Sequence, residues 1–496
     1  MSKFRTLAPL FCLTGIGCTA VAPVDAASKK NDAAKGQPRP NVLVIMVDQM
    51  AAWTLGCYGG KEIGTPNIDL LAGEGCIATG FYANTPVSTP SRGAFQTGLY
   101  PQENGAYKND EQIRQDVSTW AQVLREKGYQ TGYAGKWHLD GNPKRPGWDI
   151  RGKDMGWSDR AAMYSFGHYK TIEYEPGDDH PRMSSDVTTV AANYPTDWFT
   201  SRALEFMGRH SRESFCFMLS IPDPHPAYLV RAPYSTMYPS STMKLPATLT
   251  EEPKSDYYLY NETRIGAPDG KAKKTKSEYD QIVATLPQNK SQYFGMIKCI
   301  DDNVGRIITW LKDNSLYDNT IVVFTSDHGD MMGEHARMAK GVPFESAARV
   351  PFIVRYPAKI KGGTVCDCIA SSIDFYPTIL ALAEVEQKEK VSGSSFETAL
   401  TGKVQKGWKD RAFIRAYAAS YPWVGVVTRD YKLIYGKNDV RGKALLIDRK
   451  KDPSESYNKV EDAAYATLAS SLSQEIFDYC TAHNDPHLEW LKKRVK

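Results

Sequence analysis

A serine ahead of a proline, two short acidic motifs and a lysine two residues from a histidine are the groups in this 496-residue chain that could do chemistry together. Asp48-Gln49 and Asp327-His328 each end an apolar run, and their oxygen donors suit a hard cation. Adjacent residues of a regular strand face opposite ways, so Asp48 and Gln49 can reach one ion only if the chain leaves its strand there. Ser88-Thr89-Pro90-Ser91-Arg92 predicts a helix start at Pro90, with Ser88 at the positive end, where free N–H groups favour an anion. Taken alone, Ser88 reads as an ordinary N-cap serine and Asp48 as a cap or turn aspartate. Lys136 and His138, two apart at the end of a strand-like segment, share a face and can meet one anion together.

The elements that must position these groups are written in the hydropathy pattern. Continuous apolar runs at 41–47, 215–220, 321–326 and 352–356 have the length and character of parallel strands buried on both faces. Between them lie helical periodicities. The clearest carries Tyr293, Met296, Ile297, Ile300, Val304, Ile308 and Leu311 on one stripe and predicts Asp301, Asp302 and Arg306 on the polar face. Strand and helix in alternation predict an α/β fold, a sandwich with a mainly parallel central sheet flanked by helices, and ligands at the carboxyl ends of its strands. Segments 142–185 and 227–289 break the periodicity and read as insertions. The second contains Lys271, Lys273, Lys274 and Lys276 near Tyr257, Tyr258 and Tyr260, which reads as a solvated loop or as an attractor of polyanions. Beyond Glu384, strands at 423–428, 431–435 and 444–448 and a helix at 465–482 predict a smaller antiparallel subdomain.

Composition bounds the rest. With 61 basic against 57 acidic residues, the net charge of +4 gives no electrostatic case for a nucleic-acid partner. Residues 1–26, with Lys3 and Arg5 ahead of an apolar stretch too short to span a bilayer, predict a signal peptide, and 27–40 a polar tether. The chain is therefore expected in the periplasm, cleaved near Ala27 or, if Gly15-Ile16-Gly17-Cys18 acts as a lipobox, lipid-anchored at Cys18. That anchor would be its one contact with a membrane. Outside this leader Cys57, Cys76, Cys216, Cys299, Cys366, Cys368 and Cys480 are too scattered for a disulfide scaffold, and most of them read as small buried apolar residues.

The pentapeptide beginning at Ser88 resembles the signature of the type I sulfatases, in which a Cys or Ser is oxidised to formylglycine. Companion motifs follow in family order over essentially the whole mature chain, through Leu446-Ile447-Asp448 and Asp452-Pro453-Ser454-Glu455. The resemblance implies an alkaline-phosphatase-like catalytic domain over 41–384 and a C-terminal antiparallel subdomain over 385–496. It implies a divalent cation held by Asp48, Gln49, Asp327, His328 and the modified Ser88, and a catalytic set of Ser88, Arg92, Lys136, His138, His225 and Lys340. The cation is calcium by this resemblance. His328, where many members carry Asn, would also tolerate manganese or another divalent ion. Gln49 departs from the Asp-Asp often found there and leaves the ion one negative charge short, as in phosphonate monoester hydrolases.

By the family mechanism, one hydroxyl of hydrated formylglycine attacks sulfur and the second later expels sulfate. His225 and Lys340 protonate the departing alcohol, while His138 and Arg92 hold or deprotonate the diol. Arg337 competes with Lys340 for its role, and Glu334 and His335 read as loop structure. The implied partners are a sulfated saccharide and, during biogenesis, a radical maturase that converts Ser88. Trp148, Trp157 and His180 are candidates for a substrate wall. Two rivals stand beside the sulfatase: a phosphonate monoester or phosphodiester hydrolase of the same superfamily, and a non-catalytic glycan-binding surface protein.

Overall fold

The first strand, β1 (Asn41–Val47), is buried along its whole length because alternate side chains enter two different cores. Val42, Val44 and Met46 pack on one face, and Leu43, Ile45 and Val47 on the other. The computed structural model describes residues 39–141, 155–163, 170–173, 182–188, 190–249, 276–417, 422–436 and 444–493. The predicted signal peptide, Cys18, most of the tether, Trp148, His180 and the Lys271–Lys274 and Tyr257–Tyr260 clusters lie outside them.

In chain order the next strands are β2 (Cys76–Tyr82), β3 (Gln130–Lys136), β4 (Asp159–Met163), β5 (Lys170–Glu173), β6 (Arg182–Val187), β7 (Phe215–Ile221), β8 (Thr320–Ser326), β9 (Phe352–Arg355) and β10 (Thr364–Ser371). Eight of these form one sheet in the order β10-β2-β9-β8-β1-β7-β3-β4. Strand β1 runs parallel to both β7 and β8, and β3 parallel to β7. Val47 is level with Ser326 and Ile221, and Gly135 with Ser220, so four carboxyl ends open at one edge. The mainly parallel α/β sandwich expected from sequence is the fold. Strand β9 is an exception to the expectation of parallel runs, since it is antiparallel to both β2 and β8. An apolar run reports burial on two faces, and strand direction leaves no mark in it.

Helices cover both faces. Ser88–Thr97, Trp120–Glu126 and Phe375–Leu382 share a core with Val42 and Val44, and Trp157 belongs to it, with its ring 5.0 Å from Trp120. That burial makes Trp157 a packing residue, not a substrate wall. Pro66–Gly73, Pro195–Arg209 and the long helix Lys276–Asp313 cover the other face, and all seven residues of the predicted stripe are buried. Asp301, expected on the solvated face, is instead buried and caps a neighbouring helix. It accepts from the N–H groups of Asn67 at 3.0 Å and Ile68 at 2.9 Å, at the start of Pro66–Gly73. Periodicity places a residue on an angular sector, but it cannot say that a second helix end abuts that sector.

A second sheet follows, antiparallel in the order β11 (Arg411–Ala416), β12 (Trp423–Thr428), β13 (Tyr431–Gly436) and β14 (Leu445–Asp448), with helix Ala466–Ala482 against it. A buried ionic knot ties it to the segment after β8: Lys432 Nζ lies 2.8 Å from Glu345 and also bonds Glu455 and the Pro343 carbonyl. Near it Glu334 accepts from Ser346 Oγ at 2.5 Å, and the His335 ring stacks on Phe344. The seven cysteines among the described residues are free, six of them buried and Cys57 partly exposed, with the Cys366 and Cys368 sulfurs 2.9 Å apart at a bulge in β10. Among the described residues no helix is long and apolar enough to cross a membrane.

Two measurements check this account. Asp301→Ala strands two helix N–H groups and costs about 1–3 kcal/mol, read as a lower urea midpoint at unchanged slope. Burial, with Glu455 and Glu345 nearby, pushes the Glu334 carboxyl up to about 7, against the pull of Ser346 and Lys290. A folded-state value above the unfolded one makes its stabilisation complete below the unfolded value and lost as pH rises through about 7. The melting temperature therefore falls between about pH 5 and 8, and falls less in Glu334→Gln; equal slopes in the two proteins would contradict this.

Candidate active site

Where β1 ends, the chain turns out of its strand: Gln49 has φ of 70°, a left-handed conformation that a side chain adopts at a cost. This is the departure that two adjacent ligands require. Asp48 and Gln49 are both fully buried, and Asp48 N–H bonds the Asp223 carbonyl at 3.0 Å. At the end of β8, Asp327 N–H bonds the Val47 carbonyl at 3.2 Å, which sets the two acidic motifs side by side. One ligand atom from each of Asp48, Asp327 and His328 falls within 4.8 Å of the others.

The donor set fits a cation. Asp48 Oδ1 is buried and has no hydrogen-bond partner, an arrangement that is costly unless a positive charge meets it. His328 Nδ1 lies 3.1 Å from the Gly329 carbonyl, which can only accept, so the proton sits on Nδ1. The lone pair of Nε2 then faces Asp48 Oδ1 at 3.7 Å, Asp327 Oδ1 at 3.6 Å and Ser88 Oγ at 3.0 Å. Burial, joined by Lys340, holds the imidazole well below its ordinary value and therefore neutral. Gln49 is oriented by its neighbours: Nε2 donates to Asp330 at 2.5 Å, and Oε1 accepts from Lys340 Nζ.

Ser88 opens helix Ser88–Thr97, every residue of which is buried. The N-cap is Val87, not Ser88, so the helix starts two residues ahead of Pro90. Pro in the first turn is compatible with either start, since its missing N–H has no helical partner there. Freed from capping, Ser88 Oγ meets His328 and accepts from Lys136 Nζ at 3.3 Å. The next N–H, that of Thr89, is capped by Asn109 Oδ1 at 3.1 Å.

Arg92, one turn on, is 2% exposed and reaches four groups. It donates to Asp327 Oδ2 at 2.9 Å, the Lys136 carbonyl at 2.9 Å and Ser220 Oγ at 2.7 Å, and lies 3.6 Å from Asp48 Oδ2. Lys136, the last residue of β3, pairs with Asp48 Oδ2. Although burial pushes the other way, Lys136, His225 and Arg92 hold the Asp48 carboxyl well below the usual range. Burial pushes Lys136 down while Asp48 opposes it.

The expectation that Lys136 and His138 share a strand face needs correction. Strand β3 ends at Lys136, and His138 adopts φ of 58°, so strand alternation no longer governs it. Its Nε2 meets Asp110 Oδ1 at 3.1 Å, while Thr89 Oγ1 donates to its carbonyl at 2.9 Å, which keeps it beside the Ser88 helix. His225, after β7, is half-buried, with Nδ1 2.5 Å from the Pro226 carbonyl, and its charge acts on Asp48. Lys340 reaches Gln49 directly, and burial pushes its ammonium down to about 8. This contact favours Lys340 over Arg337. Ser220, Asp110, Tyr228 and Asp330 escaped the sequence reading. Asp330 alone had a visible signal there, as the last residue of the Asp327-His328-Gly329-Asp330 run.

Three basic side chains, Arg92, Lys136 and Lys340, thus gather with a hydroxyl and two carboxylates at one sheet edge, an arrangement suited to an anionic ester beside a metal ion. Comparison with known proteins agrees. The sulfatase family model matches residues 40–385, and a model of the N-sulphoglucosamine sulphohydrolase C-terminal region matches 333–481. This chain belongs to the sulfatase family. It is 29% identical to the N-acetylglucosamine-6-O-sulfatase of Bacteroides thetaiotaomicron, over 92% of this chain and 88% of that protein. To the uncharacterized sulfatase YidJ of Escherichia coli it is 30% identical, over 90% and 88%. A protein solved in complex with its substrate D-glucosamine-2-N,6-O-disulfate superposes with a TM-score of 0.76 at 26% identity, covering 90% of this chain and 99% of that one.

The orphaned Asp48 oxygen yields a prediction. Added Ca2+ raises the melting temperature of chelator-stripped protein, by the equivalent of about 2.7 kcal/mol at a hundredfold excess over Kd, and Asp48→Asn removes most of the rise. An equal rise in both proteins would place the ion elsewhere.

Proposed function

We propose that the protein is an exported carbohydrate sulfatase that hydrolyses a sulfate monoester on a sugar, with calcium and a formylglycine made from Ser88. The observation that carries this reading is the placement of Ser88 Oγ, 3.0 Å from His328 Nε2 and 3.3 Å from Lys136 Nζ, at the start of a buried helix. The sugar class rests on two relatives, the N-acetylglucosamine-6-O-sulfatase and the protein solved with D-glucosamine-2-N,6-O-disulfate as its substrate. The export step rests on residues 1–26, and conversion of Ser88 by a radical maturase on the signature itself.

When present, the cation neutralises sulfate oxygens and the hydrated aldehyde supplies the nucleophilic hydroxyl. Asp48, Asp327, His328 and Gln49 would hold the cation. The chain's own groups then do the remaining work. Lys136 lies beside the position-88 oxygen and stabilises negative charge that builds on or near it. Arg92 donates through Nε and Nη1 to Asp327, the Lys136 carbonyl and Ser220, while its buried Nη2 makes no hydrogen bond and lies 3.6 Å from Asp48, so it acts by fixing the ends of β3, β7 and β8 as well as by its charge. Lys340, with its ammonium pushed down to about 8, releases a proton more readily than an ordinary lysine and suits protonation of the departing sugar oxygen. His225 lies on the adjacent loop and shares that role. His138, pushed down to about 3 by burial and by Lys136, stays neutral and is a weak base, which suits holding the diol at position 88 through a neutral ring better than deprotonating it.

The first test is the mass of the Ser88 peptide from protein made in a host that carries a serine-type maturase. Loss of two hydrogens is expected, together with sulfate release from 6-O-sulfated N-acetylglucosamine that Ser88→Ala abolishes. An unmodified serine in active protein, with phosphate or phosphonate esters preferred over sulfate esters, would replace this reading by the phosphoester one that Gln49 and His328 suggest. Binding of sulfated saccharides without turnover by the converted protein would replace it by glycan capture.

A further inference from the structure

One fully buried carboxylate at the site has no part in the chemistry above. Asp330, two residues past His328, accepts four hydrogen bonds. Its Oδ2 takes Gln49 Nε2 at 2.5 Å and the Tyr228 hydroxyl at 2.8 Å. Its Oδ1 takes the backbone N–H groups of Met332 at 2.9 Å and Ala339 at 3.0 Å. These donors come from three segments: the end of β1, the stretch after β7 that carries His225, and the turn that carries Lys340. Met332 and Ala339 have φ of 41° and 64°, a region costly for residues with a Cβ, so the turn depends on bonds such as these.

A carboxamide has two ends of nearly equal shape and opposite polarity, and nothing in its own geometry chooses between them. Gln49 meets Asp330 at one end and Lys340 at the other. A carboxylate with both oxygens engaged as acceptors admits only an NH2 at its end, and an ammonium admits only an oxygen at the other. We propose that Asp330 is a positioning residue that sets the polarity of the Gln49 carboxamide, so that its oxygen and never its NH2 is turned toward Lys340 and the acidic cluster. Gln49 leaves the cluster one negative charge short of an Asp-Asp pair. Asp330 places that charge on the far side of the amide, where it orients the group in place of binding directly.

The consequence for turnover rests on the sulfatase reading, while the interaction itself does not. Asp330→Asn keeps the volume and leaves an oxygen for the Met332 and Ala339 N–H groups, but sets its NH2 against Gln49 Nε2. Gln49 must then turn over and present its own NH2 to the Lys340 ammonium. Gln49→Glu alone sets a second buried carboxylate against Asp330. Combined, the two substitutions restore a donor–acceptor pair at position 330 and an acceptor facing Lys340.

The experiment is the double-mutant cycle, read both by kcat/KM on a sulfated N-acetylglucosamine and by melting temperature. Each single variant is expected to lose about 10–100-fold in kcat/KM and to melt lower, and the double variant to regain most of both. The thermal cycle reads the pairing whether or not the protein turns over, so an inactive wild type with an intact thermal cycle sinks the sulfatase reading and upholds the pairing. A double variant no better than Asp330→Asn by either measure overturns the inference. Recovery of melting temperature without recovery of kcat/KM in active protein reduces Asp330 to a structural strut and overturns its positioning role.

Discussion

A guanidinium sealed from water at the carboxyl edge of the sheet is the interaction on which the rest of this structure depends. Arg92 touches Asp48, Asp327, Ser220 and the Lys136 carbonyl, and so binds the ends of β1, β8, β7 and β3 to the helix that begins at Ser88. Buried charge is tolerated only when paired and hydrogen-bonded. The bonds from Arg92 Nε and Nη1, with the ion pair to Asp48, therefore fix the relative position of every strand end that contributes to the site. The two carboxylates it faces would otherwise repel, and the lysine beside them would be desolvated without compensation.

From this constraint the electrostatics follow. Burial raises the cost of each charge separately, yet the charges alternate in sign, so Asp48 stays ionised in a place where an isolated carboxylate would not. His328 is kept neutral by the same burial and by the carbonyl that holds its proton, which leaves a lone pair for a cation. Gln49 extends the pattern without adding charge. Its amide passes from the carboxylate of Asp330 to the ammonium of Lys340, and this links the end of β1 to the turn that carries Lys340. The second sheet supports that turn from outside, through Lys432, Glu345 and Glu455.

Which residues gather at the candidate site was legible in the chain because they are marked by type at short spacing. Ser88 with Arg92 one helical turn later, Asp48 beside Gln49 and Asp327 beside His328 each name a function locally, and the apolar runs before them name the strands that end there. The α/β alternation, the long helix and its buried stripe and the late hairpin were equally local properties of pattern and composition. Each depends on a period or a count, and these the sequence carries without ambiguity.

What tertiary structure alone decided concerns meetings between distant segments. Strand β9 runs antiparallel because its connection returns it that way, and an apolar run looks the same in both directions. Asp301 is buried because another helix begins against it, and His138 leaves its strand face because β3 ends two residues earlier. Asp330, Ser220, Asp110 and Tyr228 meet the other site residues through contacts across 28 to 281 positions of chain. A sequence determines which groups are available and on which local element they ride. Which buried groups complete one another is settled by desolvation: removal from water penalises every unpaired charge and donor until the fold brings its partner.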